Sequence, residues 1–448
     1  MARLIFSLYE ATVKQALLDK IQQRQVRLAV VGLGYVGLPL AVEFAQAGLT
    51  VVGIDVDANK TAAIMRGESY IPDIPTPAVA ALVQAGRLSA TTDYAALRDC
   101  DAVSICVPTP LNKTRDPDMS YVISAATAVT EHAHAGLVIV LESTTYPGTT
   151  EEILLPRLQA AGWRIGEDVF LAFSPERIDP GNQHYGVRNT PKVVGGATPD
   201  CTAVAQALYQ VAVDTIVPVT SLRAAEMVKL LENTFRAVNI GLVNEMALMC
   251  AKLDVNVWEV IEAASTKPYG YMKFTPGPGI GGHCIPIDPL YLSWKLKSLN
   301  YTARFIELAD AINSRMPEHV VALVADALND VGRALNGARL LVLGVAYKRD
   351  IDDVRESPGL DVMTELLARK ALVSYHDPYV PRLRLNEQVL TSQPLTAETL
   401  AAADGVILIT DHTGFDWDWI RQHARLLVDT RNAVRGAGPA GSARVVRL

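Results

Sequence analysis

Long apolar runs are the first thing missing from this sequence. Gly, Pro or a charged residue interrupts every candidate before it reaches the roughly 20 residues that a membrane-spanning helix needs. The N-terminal stretch also lacks the apolar core and small-residue cleavage site of a signal peptide, because it soon turns polar and charged. We therefore expect no membrane partner, and we interpret residues 1–25 as an amphipathic helical extension.

Two further shortages narrow the function. Positive charge is scarce, since 41 Lys and Arg face 48 Asp and Glu, and the net charge of −7 provides no basic field to hold nucleic acid. The cysteines form no CxxC pair, and their odd number leaves one unpaired in any disulfide scheme. This usage suits a reducing cytoplasm, where we place the protein, and we predict no metal site. The five cysteines are Cys100, Cys106, Cys201, Cys250 and Cys284.

The order of apolar and polar segments predicts an α/β protein. A chain of 448 residues is too long for one core, and at roughly 100 to 200 residues per domain it should contain two or three. The segments RLAVVGLG and LTVVGID flank a helical stretch, as in a βαβ unit of a parallel sheet. Strand signals return near the C-terminus in ARLLVLGVAYK, ALVSYHD, DGVILITD and RLLVDTR.

A long helix is predicted between these two blocks. Residues from about Ser221 to Leu253 show helical periodicity, with Gly241 as nearly the only breaker. We therefore predict two Rossmann-like, doubly wound parallel-sheet domains joined by a long central helix and a helical region. The predicted boundaries are 1–25 for the extension, 26–215 for the first α/β domain, 216–330 for the central helical region and 331–448 for the second α/β domain.

A glycine-rich turn follows the first predicted strand. Gly32, Gly34 and Gly37 form a GxGxxG motif that opens a helix, where a pyrophosphate can approach the helix N-terminus. Asp55 ends the second strand, 18 positions after Gly37, where a carboxylate binds an adenosine ribose and repels a 2′-phosphate. The combination predicts NAD rather than NADP, with a purely structural turn as the alternative. Lys60 either pairs with a phosphate near the ribose or caps a solvated helix face.

A second candidate segment is dense in Gly and Pro. In TPGPGIGGHCIPID (275–288) the backbone is shaped but carries few side chains to pack, so Cys284 should be open to a ligand. The other four cysteines lie in elements or apolar surroundings that are typical of inert, buried thiols. Loop amides or the adjacent His283 could favour a thiolate at Cys284. From the residues alone, a nucleophile and a buried structural cysteine are both open.

Three further features are candidates with ordinary alternatives. Lys229 and Asn233 lie four apart on the predicted long helix, so an ammonium and an amide share a face and could converge on an oxyanion. A lysine on a helix is also often merely solvated. The loops ESTTYPG (142–148) and SPERIDPG (174–181) follow strands, where α/β sheets bind ligands, but their residues also form ordinary turns.

Seven segments, in order along the chain, resemble the UDP-glucose/GDP-mannose dehydrogenase family. They are GLGYVGLP, CVPTP, ESTTYPGT, SPERIDPGN, VKLLENTFRAVNIGLVNE, GPGIGGHCIPIDP and GVAYKRDIDDVRESP. The resemblance implies an NAD-binding domain at 26–215, a central helical dimerisation and catalytic region at 216–330, and a UDP-sugar-binding domain at 331–448. It also implies NAD as the cofactor, a UDP-sugar as the substrate, and a homodimer or higher homo-oligomer.

The resemblance assigns roles to individual positions. It makes Cys284 the nucleophile and Lys229 with Asn233 the oxyanion-side pair, and it gives water activation and proton transfer to Asp288, Glu176 and Thr145. The implied cofactor contacts are Gly32, Gly34, Tyr35, Val36, Gly37, Asp55, Lys60, Pro108, Thr109, Thr145 and Arg355. The implied substrate contacts are Glu176, Arg177, Lys229, Asn233, Gly277, Gly279, Gly281, Tyr347, Lys348 and Arg431.

The implied reaction is a two-step, four-electron oxidation of a sugar C6 alcohol to a uronic acid. An aldehyde is trapped by Cys284 as a thiohemiacetal, oxidised to a thioester and hydrolysed. Gly282-His283-Cys284, Ile287-Asp288 and Pro180 resemble the branch that acts on UDP-N-acetylhexosamines. UDP-N-acetylglucosamine is the first choice, its manno epimer the second, and UDP-glucose a further alternative. The product suits polysaccharide biosynthesis.

Two other functions stay open at this stage. A two-electron dehydrogenase of hydroxy acids or acyl thioesters would share the NAD domain and helical middle, but it leaves Cys284 and the second α/β domain without a role. A catalytically silent sensor of NAD and UDP-sugar would not need Cys284, Lys229, Asn233 and Asp288 together. Cys284→Ser separates the first alternative from the four-electron enzyme, because only the latter depends on the thiol.

Overall fold

The computed structural model describes residues 13–112, 116–179, 182, 184–282, 284–436 and 443–448. It divides into two compact units, one reaching to Glu232 and including 297–299, the other containing 233–296 and 300–448. The predicted extension at 1–25 is described only in part, with a helix, α1, at 13–22. The boundary between the units lies inside one helix. The predicted division of the chain into four ranges stays a prediction.

An eight-stranded sheet forms the centre of the first unit. Its strand order is β3-β2-β1-β4-β5-β6-β7-β8, and its neighbours are parallel except for the antiparallel pair β6 and β7. Most of its residues are buried, as expected for strands covered on both faces. The strands are β1 (Arg27–Val31), β2 (Thr50–Ile54), β3 (Leu88–Thr91), β4 (Ala102–Ile105), β5 (Val138–Leu141), β6 (Phe170–Phe173), β7 (Lys192–Gly196) and β8 (Ile216–Val219).

Helices cover both faces of this sheet. Because successive side chains of a strand point to opposite faces, Leu28 and Val30 join one core while Ala29 and Val31 join another. The helices are α2 (Gly37–Gln46), α3 (Ala58–Met65), α4 (Thr76–Gln84), α5 (Ser120–Glu131), α6 (Leu155–Ala160), preceded by a π-helical turn (Thr150–Leu154), and α7 (Pro199–Gln210), with a 3₁₀ helix at Tyr94–Asp99. The predicted doubly wound domain is confirmed.

The predicted long helix is also confirmed. Helix α8 (Leu222–Lys252) is 31 residues long, and its C-terminal half packs on α9 (Val257–Ala264) through Val243, Ala247 and Trp258. The segment after the Gly/Pro-rich stretch contains α10 (Asp288–Lys297), α11 (Arg304–Asn313) and α12 (Met316–Asn329). None of the described helices is both long enough and apolar enough to cross a bilayer.

A second parallel sheet lies in the second unit. Its five strands are parallel and follow the order β10-β9-β13-β14-β15, beside a two-stranded antiparallel hairpin, β11-β12. The elements are β9 (Arg339–Leu343), α13 (Pro358–Ala368), β10 (Leu372–His376), β11 (Arg382–Leu385), β12 (Gln388–Thr391), α14 (Ala397–Ala402), β13 (Gly405–Leu408), α15 (Trp417–His423), β14 (Leu426–Asp429) and β15 (Arg444–Arg447).

Candidate active site

The glycine-rich turn lies between β1 and α2, as the sequence predicts. Gly32 has φ +91°, and a Cβ there would lie 2.6 Å from the Cys106 carbonyl oxygen; at Gly37 a Cβ would lie 1.8 Å from the Gly32 oxygen. Both glycines are therefore required by the packing of the protein itself. At Gly34, by contrast, no described protein atom lies within 4 Å of the Cβ position. This open space suits the close approach of a ligand to the backbone.

The N-terminus of α2 beside this turn has no side-chain cap. Its N-cap residue, Val36, makes no capping hydrogen bond, so the first amides of the helix have no side-chain acceptor there. The partial positive charge of a helix N-terminus favours a phosphate at this point. Tyr35, which is half-buried, precedes it. The turn therefore fits the diphosphate of a dinucleotide.

Asp55 lies directly after β2, beside the same turn. Its Oδ2 accepts a hydrogen bond from the Leu33 amide at 2.8 Å and from Lys60 Nζ at 3.2 Å, and its Oδ1 accepts one from the Asp57 amide at 2.9 Å. Lys60 thus pairs with Asp55 itself. The carboxylate is fixed in place by two backbone amides, and each oxygen keeps acceptor capacity for a ribose hydroxyl.

The other predicted cofactor residues of this unit follow β4 and β5. Pro108 and Thr109 follow β4, the parallel neighbour of β1, and so lie at the carboxyl edge of the sheet. Thr145 follows β5 and is 1% exposed, yet its hydroxyl has no hydrogen-bond partner among the described residues. A buried hydroxyl without a partner costs stability, so its presence indicates a ligand or water in the working protein.

Glu226 of α8 anchors the loop that carries Thr145. Its carboxylate accepts hydrogen bonds from the amides of Gly148 and Thr150, at 2.5 and 2.9 Å, and from the Thr150 hydroxyl at 2.7 Å. Burial nevertheless raises the pKa of Glu226, against the effect of those three bonds. Glu226 lies one turn before Lys229, so the same face of α8 carries both the residue that anchors the Thr145 loop and the Lys229 side chain.

Glu176 and its neighbours form a fixed polar group after β6. One carboxylate oxygen of Glu176 accepts the amides of Arg177 and Ile178, at 2.6 and 2.7 Å. The buried Lys229 ammonium donates to the Glu176 backbone carbonyl at 2.6 Å. The Arg177 guanidinium pairs with Glu232 on α8. Three of the predicted residues, Glu176, Arg177 and Lys229, are therefore brought together in the first unit.

Lys192 is a residue that the sequence analysis missed. Its buried ammonium lies 2.7 Å from Glu142 Oε2 and 3.3 Å from Glu176 Oε2. Burial lowers the pKa of Lys192, but the two carboxylates outweigh it and leave that pKa well above its usual value. Tyr209 donates to the other Glu142 oxygen at 2.5 Å. A lysine at the start of an apolar strand, KVVGG, was the only available signal.

In the second unit, Cys284 lies at the entrance of a helix. Its carbonyl accepts the amides of Ile287 and Asp288, at 3.2 and 2.8 Å, in the turn that leads into α10. Cys284 is partly exposed, whereas Cys100, Cys106, Cys201 and Cys250 are buried, and none of the five forms a disulfide. A helix N-terminus favours the anionic form of a nearby thiol, which makes Cys284 the cysteine best placed to react.

The thiols of the first unit differ in this respect. Burial raises the pKa of Cys100 to about 11 and also raises the pKa values of Cys106 and Cys201. Those three groups stay neutral at physiological pH and are poor nucleophiles. His283 and Pro180, which the sequence analysis also named, lie outside the described residues.

Asn233 and Asp288 are in direct contact. Asn233 Nδ2, on α8, donates to Asp288 Oδ2 at 2.6 Å, and both residues are buried. Asp288 is the first residue of α10, one turn after Cys284. The contact therefore links the first turn of α10 to α8 and fixes two predicted catalytic residues next to the Cys284 turn.

The glycines before Cys284 are required by packing within the second unit. A Cβ at Gly277 would lie 2.5 Å from Arg431 Nη1, and one at Gly281 would lie 2.5 Å from Tyr347 Cβ. Gly279 has φ +137° and packs on Pro358. The three glycines predicted as substrate contacts thus have a structural reason of their own, and they bring the loop against Arg431 and Tyr347.

Arg431 is held at the end of β14. Its Nε donates to the Ile409 carbonyl at 2.8 Å, and burial lowers the pKa of its guanidinium while the charge of Asp411 opposes this. Arg349 pairs with the same Asp411. Arg349 and Arg431 thus place two guanidinium groups at the carboxyl edge of the second sheet, next to Asp411 and Asp429. Guanidinium groups are donors that suit a diphosphate.

The loop that carries Tyr347 and Lys348 is anchored at both ends. Asp377 Oδ2 accepts the amides of Val345 and Ala346, at 2.7 and 3.2 Å, and also accepts from His412 Nε2 at 3.0 Å. On its other side, His412 Nδ1 accepts the Asp350 amide at 2.9 Å. The loop is therefore built on a buried His–Asp pair.

Arg355, predicted near the cofactor, has its contacts in the second unit. Its guanidinium pairs with Asp353 at 2.6 Å, and its backbone carbonyl accepts the Gly282 amide at 3.1 Å. Gly282 lies two residues before Cys284. The backbone of Arg355 thus supports the cysteine loop, and the cofactor role of its side chain stays a prediction.

Comparison with known families covers most of the chain. Residues 26–213 match the NAD binding domain of the UDP-glucose/GDP-mannose dehydrogenase family, residues 223–315 match its central domain, and residues 341–436 match its UDP binding domain. The matches fall in the order expected from the sequence segments. Residues 26–213 therefore form an NAD-binding domain, and NAD is the cofactor.

Individual relatives of known function are similar over nearly their whole length. The UDP-N-acetyl-D-glucosamine 6-dehydrogenase of Pseudomonas aeruginosa is 34% identical, over 88% of this chain and 92% of that protein. The UDP-N-acetyl-D-mannosamine dehydrogenase of Escherichia coli K12 is 37% identical, over 87% of this chain and 94% of that one. A solved structure of the UDP-D-ManNAc dehydrogenase from Pyrococcus horikoshii has a TM-score of 0.85 at 35% identity, covering 94% of this chain and 98% of that one.

Proposed function

The chain belongs to the UDP-glucose/GDP-mannose dehydrogenase family, and from that premise we propose that it oxidises C6 of a UDP-N-acetylhexosamine to a carboxylate. Cys284 is the covalent nucleophile of this proposal. The observation that carries it is the position of Cys284, a partly exposed thiol at the N-terminus of α10, one turn from the Asn233–Asp288 contact.

The chemistry requires a thiol between two oxidations. NAD, when bound, supplies the hydride acceptor for both. In the first oxidation, C6 loses a hydride and its hydroxyl loses a proton, which gives the aldehyde. The Cys284 thiol adds to that aldehyde and forms a thiohemiacetal, and loss of a second hydride from C6 together with the hydroxyl proton gives a thioester. Water then attacks the thioester, the C–S bond breaks, the thiol regains its proton and the acid leaves. A free aldehyde need not escape at any step.

The remaining predicted residues divide into electrostatic and proton-transfer roles. In the proposal Lys229 and Asn233 stabilise the oxyanion of the tetrahedral species, because each presents a hydrogen-bond donor. Asp288 and Glu176 orient or deprotonate the attacking water, and Thr145 holds water or substrate with its unsatisfied hydroxyl. Tyr347, Lys348 and Arg431 bind the UDP group, and Arg177 supports the Glu176 loop.

The proposed substrate is UDP-N-acetylglucosamine. The Pseudomonas aeruginosa relative, a UDP-N-acetyl-D-glucosamine 6-dehydrogenase, supports the choice at 34% identity. UDP-N-acetylmannosamine is the second candidate, since the Escherichia coli relative and the Pyrococcus horikoshii structure have activities named for that epimer. A panel of UDP-glucose and the gluco, galacto and manno N-acetyl sugars, followed by NADH absorbance, decides between them. Preference for UDP-glucose would overturn the N-acetyl assignment but leave the mechanism intact.

Cys284→Ser tests the covalent step. A serine hydroxyl can form only an oxygen ester, which water hydrolyses less readily than a thioester. We therefore expect steady-state turnover to fall by at least about 10³-fold, a loss of about 4 kcal/mol of transition-state stabilisation. The wild-type enzyme should produce two NADH for each sugar consumed. The matched control is Cys250→Ser, at a buried cysteine of α8 outside the proposed chemistry.

The outcomes separate the three candidate activities. One NADH per sugar, with near-normal rates for Cys284→Ser, would identify a two-electron dehydrogenase. Binding of NAD and UDP-sugar without any NADH would identify a sensor. Each result contradicts the four-electron proposal in a different way.

We also propose that the chain assembles as a homodimer through α8. Phe235, Leu242 and Met249 are spaced by seven residues, which places them on one face of the helix, and they are 46%, 53% and 41% exposed. We call these three residues the α8 stripe. Apolar side chains exposed in a continuous line are typical of a protein interface.

A further inference from the structure

A buried cluster of charged and hydroxyl groups lies at the carboxyl ends of β4, β5 and β6. It contains Glu142, Glu176, Lys192, Tyr209 and Ser104, all of them buried. The chain of contacts runs from Glu176 to Lys192 at 3.3 Å, to Glu142 at 2.7 Å, to Tyr209 at 2.5 Å and to Ser104 at 3.2 Å. The proposed mechanism uses only Glu176, so four buried polar residues still need a function.

The cluster contains one cation for two carboxylates. The ammonium of Lys192 is shared by Glu142 and Glu176, and it also lies 5.2 Å above the Tyr209 ring. A buried ion pair of this kind is weak evidence for stability, because desolvation offsets most of the attraction.

The geometry fixes both oxygens of Glu176. Oε1 accepts the amides of Arg177 and Ile178, while Oε2 faces Lys192. Lys229, on α8, donates to the Glu176 carbonyl and adds positive charge, and Glu142 and the Cys106 thiol face the cluster from β5 and β4. Because Oε1 is held by backbone amides, Lys192 is the side-chain donor at Oε2 among the described residues.

We propose that Lys192 is a positioning residue for Glu176, holding its carboxylate oriented and ionised through Oε2 while Glu142 and Tyr209 hold the ammonium in place. The inference rests on the proposed function, in which Glu176 handles a proton at the water. An ionised, fixed carboxylate is what a general base requires.

The expected sign follows from the competing effects at Glu176. Burial raises the pKa of Glu176, but the charge of Lys192, the amides and Lys229 outweigh it and hold that pKa below its usual value. Without Lys192 the effect of burial is less opposed, so the carboxylate takes up its proton at higher pH. The acid limb of the pH–kcat profile then moves upward.

The experiment compares three variants that differ only at position 192. Lys192→Met alone would leave Glu142 buried without a counter-ion, so Glu142→Gln serves as the reference and Glu142→Gln/Lys192→Met as the test. In Glu142→Gln/Lys192→Met we expect the acid limb of the pH–kcat profile to lie at least about one pH unit higher than in Glu142→Gln. On that limb, a shift of one pH unit corresponds to a kcat about tenfold lower at the same pH. Glu142→Gln/Lys192→Arg restores the cation and should return the limb toward the reference. A limb at the same pH in all three active variants would overturn the inference.

A second readout does not depend on activity. Infrared spectra across a pH series report the carboxylic acid band of Glu176, identified because Glu176→Gln abolishes it. We expect this band to develop at higher pH in the double variant than in Glu142→Gln. If the wild type oxidises no UDP-sugar but the band moves, the proposed function fails, and only the hold of Lys192 on the Glu176 carboxylate is retained. If the wild type turns over and neither the band nor the limb moves, only the inference fails.

Discussion

Asp55 is the residue on which we expect the choice between NAD and NADP to depend. Its carboxylate is fixed by the amides of Leu33 and Asp57, so it meets a ribose with little loss of side-chain freedom. We expect Asp55→Asn to raise the KM for NAD at least about tenfold, or about 1.4 kcal/mol, and to narrow the preference over NADP. Steady-state kinetics with both cofactors, at saturating UDP-sugar, measures this.

The matched control is two residues away. Asp57 is half-buried and caps α3 through the Asn59 amide, so Asp57→Asn makes the same chemical change outside the proposed ribose position. We expect its KM for NAD to stay within about twofold of the wild type, since a lost N-cap acts on stability. Equal KM values for Asp55→Asn and the wild type would contradict the assigned role.

At this scale the sequence predicts a residue best when its spacing carries the chemistry. Asp55 after GxGxxG and Asn233 four residues after Lys229 are readable from helix and strand periods. Lys192 was not readable in this way, because its partners Glu142 and Glu176 come from other strands, 50 and 16 residues away. The same holds for His412, whose contact with Asp377 spans 35 residues.

Among the elements, the loop between β9 and α13 makes the clearest prediction. Asp377 accepts its amides, and although burial raises the pKa of Asp377, the hydrogen bonds from His412 and the Val345 amide hold that pKa below its usual value. A depressed pKa stabilises the fold above the usual aspartate value of about 4, and the contribution is lost as the pH falls through the lower folded value. The loop that carries Tyr347 and Lys348 should therefore loosen in acid.

Asp377→Asn removes this anchor. We expect a loss of about 1–3 kcal/mol in unfolding free energy at neutral pH, because buried amides lose an acceptor, together with a higher KM for the UDP-sugar. The difference from the wild type should begin to shrink in thermal melts below about pH 4, where the unfolded chain takes up the proton of Asp377, and it should be lost once the pH falls below the lower folded pKa. The control is Asp418→Asn, at an exposed position of α15, which should change neither quantity. A difference that grows in acid would contradict the assignment.

Most elements were predictable, and the exceptions have local causes. The strands of both sheets are apolar runs, and α8 has one interior glycine in 31 residues, so period and length reveal them. The stretch that follows α10 forms two helices, α11 and α12, with Pro317 in the first turn of the second. The Cys284 loop could be predicted as open, but its contacts with Arg431 and Tyr347 depend on pairs far apart in sequence.

Across the whole molecule, the two sheets share one local arrangement that the sequence concealed. In the first unit, Gly32 follows β1 and the next amide, of Leu33, donates to Asp55 after β2. In the second, Gly344 follows β9 and the Val345 amide donates to Asp377 after β10. These shared positions are too few to appear as a repeat in the amino-acid sequence. His412 donates to the Asp377 carboxylate. This contact takes up acceptor capacity that Asp55 keeps for the proposed ribose contact.

The assembly is the prediction that concerns the molecule as a whole. Leu242 and Met249 of the α8 stripe would be buried in the proposed dimer, and two arginines there would face apolar side chains of the partner. We expect Leu242→Arg/Met249→Arg to weaken the dimer at least tenfold, or about 1.4 kcal/mol, since charges are costly to bury without a partner. Sedimentation velocity over a concentration series measures the change.

The control makes the same kind of substitution elsewhere in the second unit. Leu372 and Val389 are 61% and 68% exposed on β10 and β12, so Leu372→Arg/Val389→Arg adds equal charge to exposed apolar positions outside the stripe. It should sediment as the wild type does. A monomeric wild type would refute the dimer, whereas a stripe variant that stays dimeric would move the interface away from α8. Because Asn233 lies on the same helix as the stripe, a monomeric variant that also loses turnover, while the control keeps it, would show that assembly supports the proposed chemistry.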